Sequence, residues 1–348
     1  MPPGLDVTYV LPIRSSEPAS AELGLYLRWL SHHVEVIAVD GSAPDVFAAQ
    51  GEAWGPRVHH VPPAGAYQFQ SGKVRGVHTG IDLARCDKVI VADDDVRWTL
   101  AQLASAAELL DDAELVRPQN AFSPLPWHAR WDTGRTLLNR VFGGDHGGTV
   151  ALRRDWFRRA GGYDGNTLFE NLELERTIAA VGGRVVVALD LVVTRHPPST
   201  PHFVGQRVRQ AYDELARPRR LVAQLSMLPL LGLLVASRRW RALGAVPLIA
   251  VAVAETGRRR RGGRAAYPAT AALWSVPWLA ERAITSWLAL GSRVLFGGVR
   301  WGDVRLRKAA SSERRLREQL AHRVAAPGAP TPGGTGSHDD GLEPLPTT

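Results

Sequence analysis

The chain holds a single cysteine, Cys86, in 348 residues. An internal disulfide is therefore impossible, and so is a zinc site built from several cysteines. Lysine is almost as scarce: Lys73, Lys88 and Lys308 are three of the 42 basic residues. Arginine in such excess follows GC-rich coding, so it does not by itself signal nucleic acid, and no nucleic-acid partner is expected. The first residues, Met1-Pro2-Pro3-Gly4-Leu5-Asp6, lack the basic and apolar regions of a signal peptide, so the front half is expected in the cytosol. There is no internal repeat. Uncharged runs occur at 221–236 and 242–254, but each falls short of the roughly 20 residues a transmembrane helix needs.

What is present is enough to fold. A hydrophobic share of 45% against 22% charged residues excludes a mainly disordered chain. The net charge of +8 is unevenly spread: residues 1–216 carry −5, and residues 217–348 carry +13. Two parts with different partners are expected. The predicted division is a domain over 1–216, a basic and apolar helical region over 217–324, and a disordered Pro/Gly-rich tail over 325–348.

The front half alternates apolar strands with helical periodicity. Strands are expected at 7–12, stopping at Pro12, then at 34–39, near 57–61, at 88–92 and at 184–193. Between them, Ser20 caps a helix with Leu23, Tyr26, Leu27 and Leu30 on one face, and 73–84 places Val74, Val77 and Ile81 together. A further helix is expected near 171–181. This order predicts a doubly wound, mostly parallel α/β sheet, with ligands beyond the carboxyl ends of the strands. Asp40 and the run Asp93-Asp94-Asp95 fall there.

That run is the sharpest chemical feature. In extended chain, residues i and i+2 face the same side, so Asp93 and Asp95 can share one divalent cation. Three adjacent carboxylates repel unless positive charge is near. Mg²⁺ or Mn²⁺ suits oxygen ligands of this kind and would in turn bind a diphosphate. Helix capping does not need these aspartates, because Thr99 with Gln102 already forms a capping box. A solvated acidic turn is the competing explanation.

The order of motifs resembles a family 2 glycosyltransferase with the GT-A fold, a Rossmann-like sheet. The resemblance spans about residues 5–215. It rests on Val39-Asp40-Gly41-Ser42, Gly72-Lys73, the Asp-x-Asp run, Gly147-Gly148-Thr149, Gly161-Gly162-Tyr163-Asp164, Glu170-Asn171-x-Glu173-Leu174 and Gly182-Gly183-Arg184-Val185. It implies that Asp40 contacts the donor base and that Lys73 lies near the donor diphosphate. Asp93, Asp94 and Asp95 would form the donor site, with Asp93 and Asp95 holding the metal and His196 as a further ligand. The family often places its base in a Glu-Asp pair. Here the second member is Asn171, an amide that cannot take a full proton, which leaves Glu170 or Glu173. Glu170 is favoured because it precedes the helix, with Asn171 a competent N-cap. Gln206-Arg207-Val208-Arg209-Gln210 resembles the Gln-x-x-Arg-Trp motif of membrane members, without its Trp. Gln206 and Arg209 match, and Arg209 would face the leaving diphosphate. Asp145 and His146 are weaker candidates for acceptor contact.

The rear half brackets its apolar runs with Arg219, Arg220, Arg238, Arg239, Arg241 and Arg258–Arg261. Residues 265–298 add Trp274, Trp278 and Trp287. Tryptophan and arginine at this spacing suit a membrane boundary, with core helices of a soluble C-terminal domain as the competing reading. The expected activity is inverting, metal-dependent transfer from a nucleotide-sugar donor to a hydroxyl acceptor, lipid or lipid-linked, at the cytoplasmic face of the cell membrane. A degenerate membrane-bound binding subunit is the non-enzyme alternative. A nucleotidyltransferase is the other enzyme alternative, though the loop Ile13-Arg14-Ser15-Ser16-Glu17-Pro18 lacks the glycines it would want.

Overall fold

The computed structural model describes residues 4–301 and 304–325. The predicted tail therefore lies outside the described residues, apart from its first residue. The front half opens with β1 (Thr8–Ile13), α1 (Ala21–Leu30), β2 (Glu35–Asp40), α2 (Pro44–Trp54), β3 (His59–Val61), α3 (Gly72–Leu83) and β4 (Lys88–Ala92). It continues with β5 (Val96–Arg97), α4 (Leu100–Leu109), β6 (Leu115–Phe122), α5 (Trp127–Val141), β7 (Thr149–Arg153), α6 (Arg154–Ala160), α7 (Glu170–Ala180) and β8 (Val185–Arg195).

The eight strands form one sheet in the order β3-β2-β1-β4-β7-β6-β8-β5. Pairing is parallel from β3 through β4 and between β6 and β8. β7 runs antiparallel to β4 and β6, and β5 antiparallel to β8. This is the mixed, parallel-dominated α/β class that the strand pattern predicts.

Side chains alternate across β1, as the period of 2 requires. Tyr9 and Leu11 enter one core with Leu23, Leu27, Leu30, Trp54 and Trp98, whereas Val10 enters the other with Val74, Val77 and Ile81. β1 does not stop at Pro12, as expected, but runs on to Ile13. Its pairing with β4 ends at Val10, so Pro12 is laddered only with β2 and its missing N–H breaks no bond on the β4 side.

After β8 come α8 (Thr200–Gly205), α9 (Arg207–Tyr212), a 3-10 turn (Asp213–Ala216), α10 (Pro218–Ala236) and α11 (Trp240–Arg259). They are followed by α12 (Gly263–Ala266), a second 3-10 turn (Ala269–Trp274), α13 (Ser275–Leu295), β9 (Val299–Trp301), β10 (Val304–Leu306) and α14 (Glu313–Ala325). α10 and α11 extend to 19 and 20 residues, long and apolar enough to cross a membrane by length and composition. The sequence runs alone suggested shorter elements, because the arginine-bearing flanks continue the helices rather than end them. Many of their apolar side chains are exposed: Leu233 to 63% and Leu248 to 71%.

The basal part of this region packs on the sheet domain. Leu137 and Leu138 of α5 share a core with Ala254, Tyr267 and Trp278. Gly257 permits the contact, since a Cβ there would collide with the Leu137 carbonyl. α13 joins α10 through Ser286 Oγ, which donates to Gln224 Oε1 at 2.9 Å, and Trp287 Nε1, which donates to the Leu225 carbonyl at 3.1 Å. Beyond β10 the chain returns as a strap across the start of α7. Leu168 N–H donates to the Lys308 carbonyl at 3.0 Å and Phe169 N–H to that of Ala309 at 2.8 Å.

Candidate active site

The apolar strand β4 delivers Asp93-Asp94-Asp95 to the sheet's carboxyl edge, where the chain turns into β5. Asp93 N–H donates to the Gly148 carbonyl at 2.7 Å, which ties the turn to the start of β7. A Cβ at Gly148 would strike the Asp93 carboxylate and displace it. The chain is not extended here, contrary to expectation: Asp94 and Asp95 lie in a turn closed by Val96 N–H, which donates to the Asp93 carbonyl at 3.1 Å, and Asp94 is exposed.

Two cations meet the pair. Lys73 Nζ, from the first turn of α3, lies 2.6 Å from Asp93 Oδ1 and 2.9 Å from Glu170 Oε1. Arg195, the last residue of β8, places Nε 2.8 Å from Asp95 Oδ2 and Nη2 3.7 Å from Asp93 Oδ2. Burial opposes the charge on Lys73, but Asp93 and Glu170 outweigh it and hold the ammonium above its ordinary range. For Asp95, burial prevails over Arg195 and raises the carboxyl. Asp94 is open to solvent on one side but crowded by protein on the other, and that desolvation, followed by its two acidic neighbours, raises its carboxyl as well. Arg195 was visible in the sequence only as a residue beside His196. Its role follows from β8 ending against β5, with Arg195 paired to Val96.

Asp95 Oδ1 is buried and accepts no hydrogen bond, so one oxygen beside Asp93 is available to a cation. The two carboxylates fit a divalent ion completed by ligand oxygens. His196 does not join them. Among the described residues no three His, Cys, Asp or Glu side chains gather into a metal-holding group. His196 instead gives its backbone N–H to the Asp95 carbonyl at 2.7 Å, and its imidazole acts on Glu22.

Glu170 opens α7 rather than preceding it, and the N-cap is Phe169, not Asn171. The strap bonds at Leu168 and Phe169 fix where the helix begins. Asn171 lies inside the first turn, and its Nδ2 donates to the Gly147 carbonyl at 3.0 Å. Glu173 is fully buried and accepts both Ser311 N–H, at 2.5 Å, and Ser311 Oγ–H, at 2.6 Å. Its carboxylate is thus committed to the strap, which leaves Glu170 of the two expected base candidates.

Asp40 ends β2 at the same edge but is held by the protein. It accepts from Ser42 N–H at 2.8 Å and Gln50 Nε2 at 2.6 Å, with His60 Nε2 at 3.0 Å. A carboxylate has about four acceptor positions, so little of Asp40 is left for a ligand. Gln206 lies between α8 and α9, its amide against His202. In the same motif Arg207 points inward to Asp132 at 2.9 Å, whereas Arg209 acts on Asp213. Asp213, which the sequence reading passed over, is electrostatically coupled to Glu170, and burial before all else pushes it up to about 7.

Asp145 and His146 belong to a buried network rather than an open surface. Asp145 is held to about 2 against burial by Arg135, 3.2 Å away, and by hydrogen bonds from Thr136 and Asn139. His146 lies 2.7 Å from Arg117 Nη1, 2.8 Å from Arg217 Nη2 and 3.1 Å from Glu175, and burial followed by Arg117 lowers it to about 4.

The chain matches no protein-family model and no curated protein. The solved structures that align with it include glycosyltransferases. One is a mannosyltransferase from Pyrobaculum calidifontis in complex with GDP-Man and Mn²⁺, with a TM-score of 0.44, 17% identity, and coverage of 92% of this chain and 85% of that one. Another is S. aureus TarS, residues 1–349, in complex with UDP-GlcNAc, with a TM-score of 0.40 and 13% identity over 57% of this chain and 60% of that one. A third is glucosyl-3-phosphoglycerate synthase from Mycobacterium tuberculosis with Mn²⁺, UDP-Glc and phosphoglyceric acid, with a TM-score of 0.38 and 16% identity over 57% and 74%.

Proposed function

We propose that this chain is an inverting, metal-dependent glycosyltransferase of the GT-A type, similar to family 2 enzymes, that acts at a membrane. The observation that carries the reading is one cluster. Lys73 bridges Asp93 and Glu170, so the residues expected to hold a donor diphosphate and the residue expected to take a proton meet at one sheet edge.

In this reading Asp93 and Asp95 hold Mg²⁺ or Mn²⁺, which when bound neutralises the donor diphosphate. Asp94 stands at the rim of the donor site. Asp40 fixes the Ser42 turn against which the base would lie. Glu170 takes the proton from the acceptor hydroxyl, and Lys73, 2.9 Å away, holds that carboxylate in place. The acceptor oxygen bonds to the anomeric carbon as the bond to the diphosphate breaks. Arg209 supplies positive charge to the departing group, and Gln206 lines the acceptor side at the start of α9.

The apolar rear supports a lipid or lipid-linked acceptor. α10 and α11 expose leucines and isoleucine along their length, and arginines 238, 239 and 241 lie at their joint. Such a surface suits lipid with anionic headgroups, and the catalytic residues then work at the cytoplasmic face.

The test is release of nucleoside diphosphate by the full chain in nanodiscs, over a panel of nucleotide sugars and with lipid and soluble acceptors. Metal-dependent turnover, abolished by chelator and by Asp95→Asn, is expected. If no donor binds or turns over under any metal condition, the enzyme reading is wrong.

A further inference from the structure

We propose that α10, α11 and α13 form one platform lying in the plane of an anionic bilayer, so that the protein sits on a single leaflet and the α10–α11 hairpin does not cross. The inference rests on the membrane part of the reading above and not on the sugar-transfer part. α13 sets the plane. Its inner residues Trp278, Arg282, Ser286 and Ala289 are buried. Trp278 packs with Leu137 of α5, and Ala289 with Leu168 and Leu172 on either side of Glu170. Its outer residues Ile284, Trp287, Leu288 and Leu295 are 44–75% exposed. They recur at i, i+3, i+4 and i+11, one stripe along the helix. The charged residues of α13 point elsewhere: Glu281 to Trp131 and Arg207, Arg282 into the interior, and Arg293 to the Arg307 carbonyl. A helix facing water carries its polar residues outward, and this one reverses that order.

The hairpin is too short to cross from that plane. Gln224, which accepts from Ser286 of α13, is the last buried residue of α10, and Ala250 is the first of α11. No residue between them is buried. Beyond Gln224, α10 continues over residues 225–236, a rise of about 18 Å. Before Ala250, α11 has residues 240–249, about 15 Å. The hydrocarbon core of a bilayer is about 30 Å thick. A hairpin standing upright on α13 would leave Arg238, Arg239 and Arg241 near the bilayer centre, where charge is costly. Laid flat, the same arginines reach the headgroups, as do the exposed Arg219, Arg259 and Arg260 at the other ends of the two helices.

The occupant is lipid rather than a second copy of the chain. A copy laid on this face in either direction would set arginine against arginine, because both ends of the hairpin carry them, whereas anionic headgroups neutralise them. The seat also brings the start of α7 close to the leaflet. Ala289 lies between the outer stripe and Leu168, so one helix diameter, about 10 Å, separates that turn from lipid.

The experiment has two arms, both on the full chain. In the first, spheroplasts express Cys86→Ser chains that carry either Ser237→Cys, at the hairpin tip, or Ala48→Cys, exposed on α2. A membrane-impermeant maleimide is added before and after lysis. The two positions should label alike, and labelling of one without the other before lysis overturns the inference alone. In the second arm, purified protein is floated with vesicles of phosphatidylcholine and phosphatidylglycerol, and with vesicles of phosphatidylcholine only. Binding should need the anionic lipid. Arg238→Gln, Arg239→Gln and Arg241→Gln together should weaken it about 10²-fold, and Leu288→Gln about tenfold. Unchanged binding in either variant overturns the arrangement. A wild-type chain that floats with neither vesicle and forms dimers overturns the membrane part of the underlying reading, and this inference falls with it.

Discussion

Asn171→Asp would rebuild the acidic pair that family 2 enzymes usually carry, and we expect it to harm the protein. The Asn171 amide donates to the Gly147 carbonyl at 3.0 Å. An aspartate has no proton to give there, so the carbonyl loses its partner and meets a negative oxygen instead. Loss of such a bond costs about 1–3 kcal/mol. A new charge in the first turn of α7 returns about 0.3–1 kcal/mol through the helix dipole. The net is a loss of about 1–2 kcal/mol, which lowers the melting temperature by a few degrees. Turnover should fall as well. Gly147 adjoins Gly148, whose carbonyl anchors Asp93, and misplacement of a catalytic group by about 1 Å can cost about 10²-fold. Thermal unfolding and diphosphate release, measured on one preparation, check both statements. Higher turnover in the variant, or an unchanged melting temperature, would refute the assignment of Asn171 to the loop.

Two further outcomes follow from the charges around the site. Arg195→Met removes the partner of Asp95 and the neighbour of Asp93, whose side chains are about one-quarter exposed. A fully buried pair would lose about 3–5 kcal/mol, so about 2–3 is expected after allowing for solvent. Mn²⁺ should then raise the melting temperature of the variant more than that of the wild type, and equal shifts would count against a shared cation position. The second outcome concerns acid. His146 is lowered from 6.5 to about 4, Glu175 from 4.5 to about 2 and Asp145 from 3.8 to about 2. Each depressed pKa contributes stability that is present above the unfolded value and is lost as pH falls through the folded one. Stability should therefore decline from about pH 6.5 and steepen below about 4.5. Denaturant midpoints against pH check this, and His146→Asn should flatten the upper part of the decline. A flat profile between pH 6.5 and 4.5 in the wild type would contradict the burial argument for His146.

Much of the sheet was legible because its signals are local. Strand and helix periods, the Thr99 capping box and the position of Asp93–Asp95 at a strand end all depend on near neighbours in sequence. The site's wiring was not legible for the opposite reason. Asn171 looked like a cap, but the start of α7 is set by bonds from Leu168 and Phe169 to residues 308 and 309. Glu173 looked free, but Ser311 occupies it. Arg195 came to lie beside Asp93 and Asp95 only when β8 met β5. His196 carried a suitable residue type, yet it contributes its backbone to the cluster instead of its ring.

Arg176 adds one more consequence. Its guanidinium donates to the Ala216 carbonyl at 3.0 Å and to the Ser311 carbonyl at 2.6 Å. The first lies just before the apolar helices and the second just after them, so one side chain clasps both ends of the whole excursion. Tyr212 and Arg307 fasten the same two ends a second time. The exposed arginines between α10 and α11 invite proteolytic cleavage, but a cut there would not free a soluble front fragment. The two pieces would remain one folded body, joined by that clasp and by the α10–α13 contacts. Chain continuity at the far end of the hairpin is thus separable from the integrity of the Asp93–Lys73–Glu170 cluster, and the protein could be assembled from two chains divided at that point.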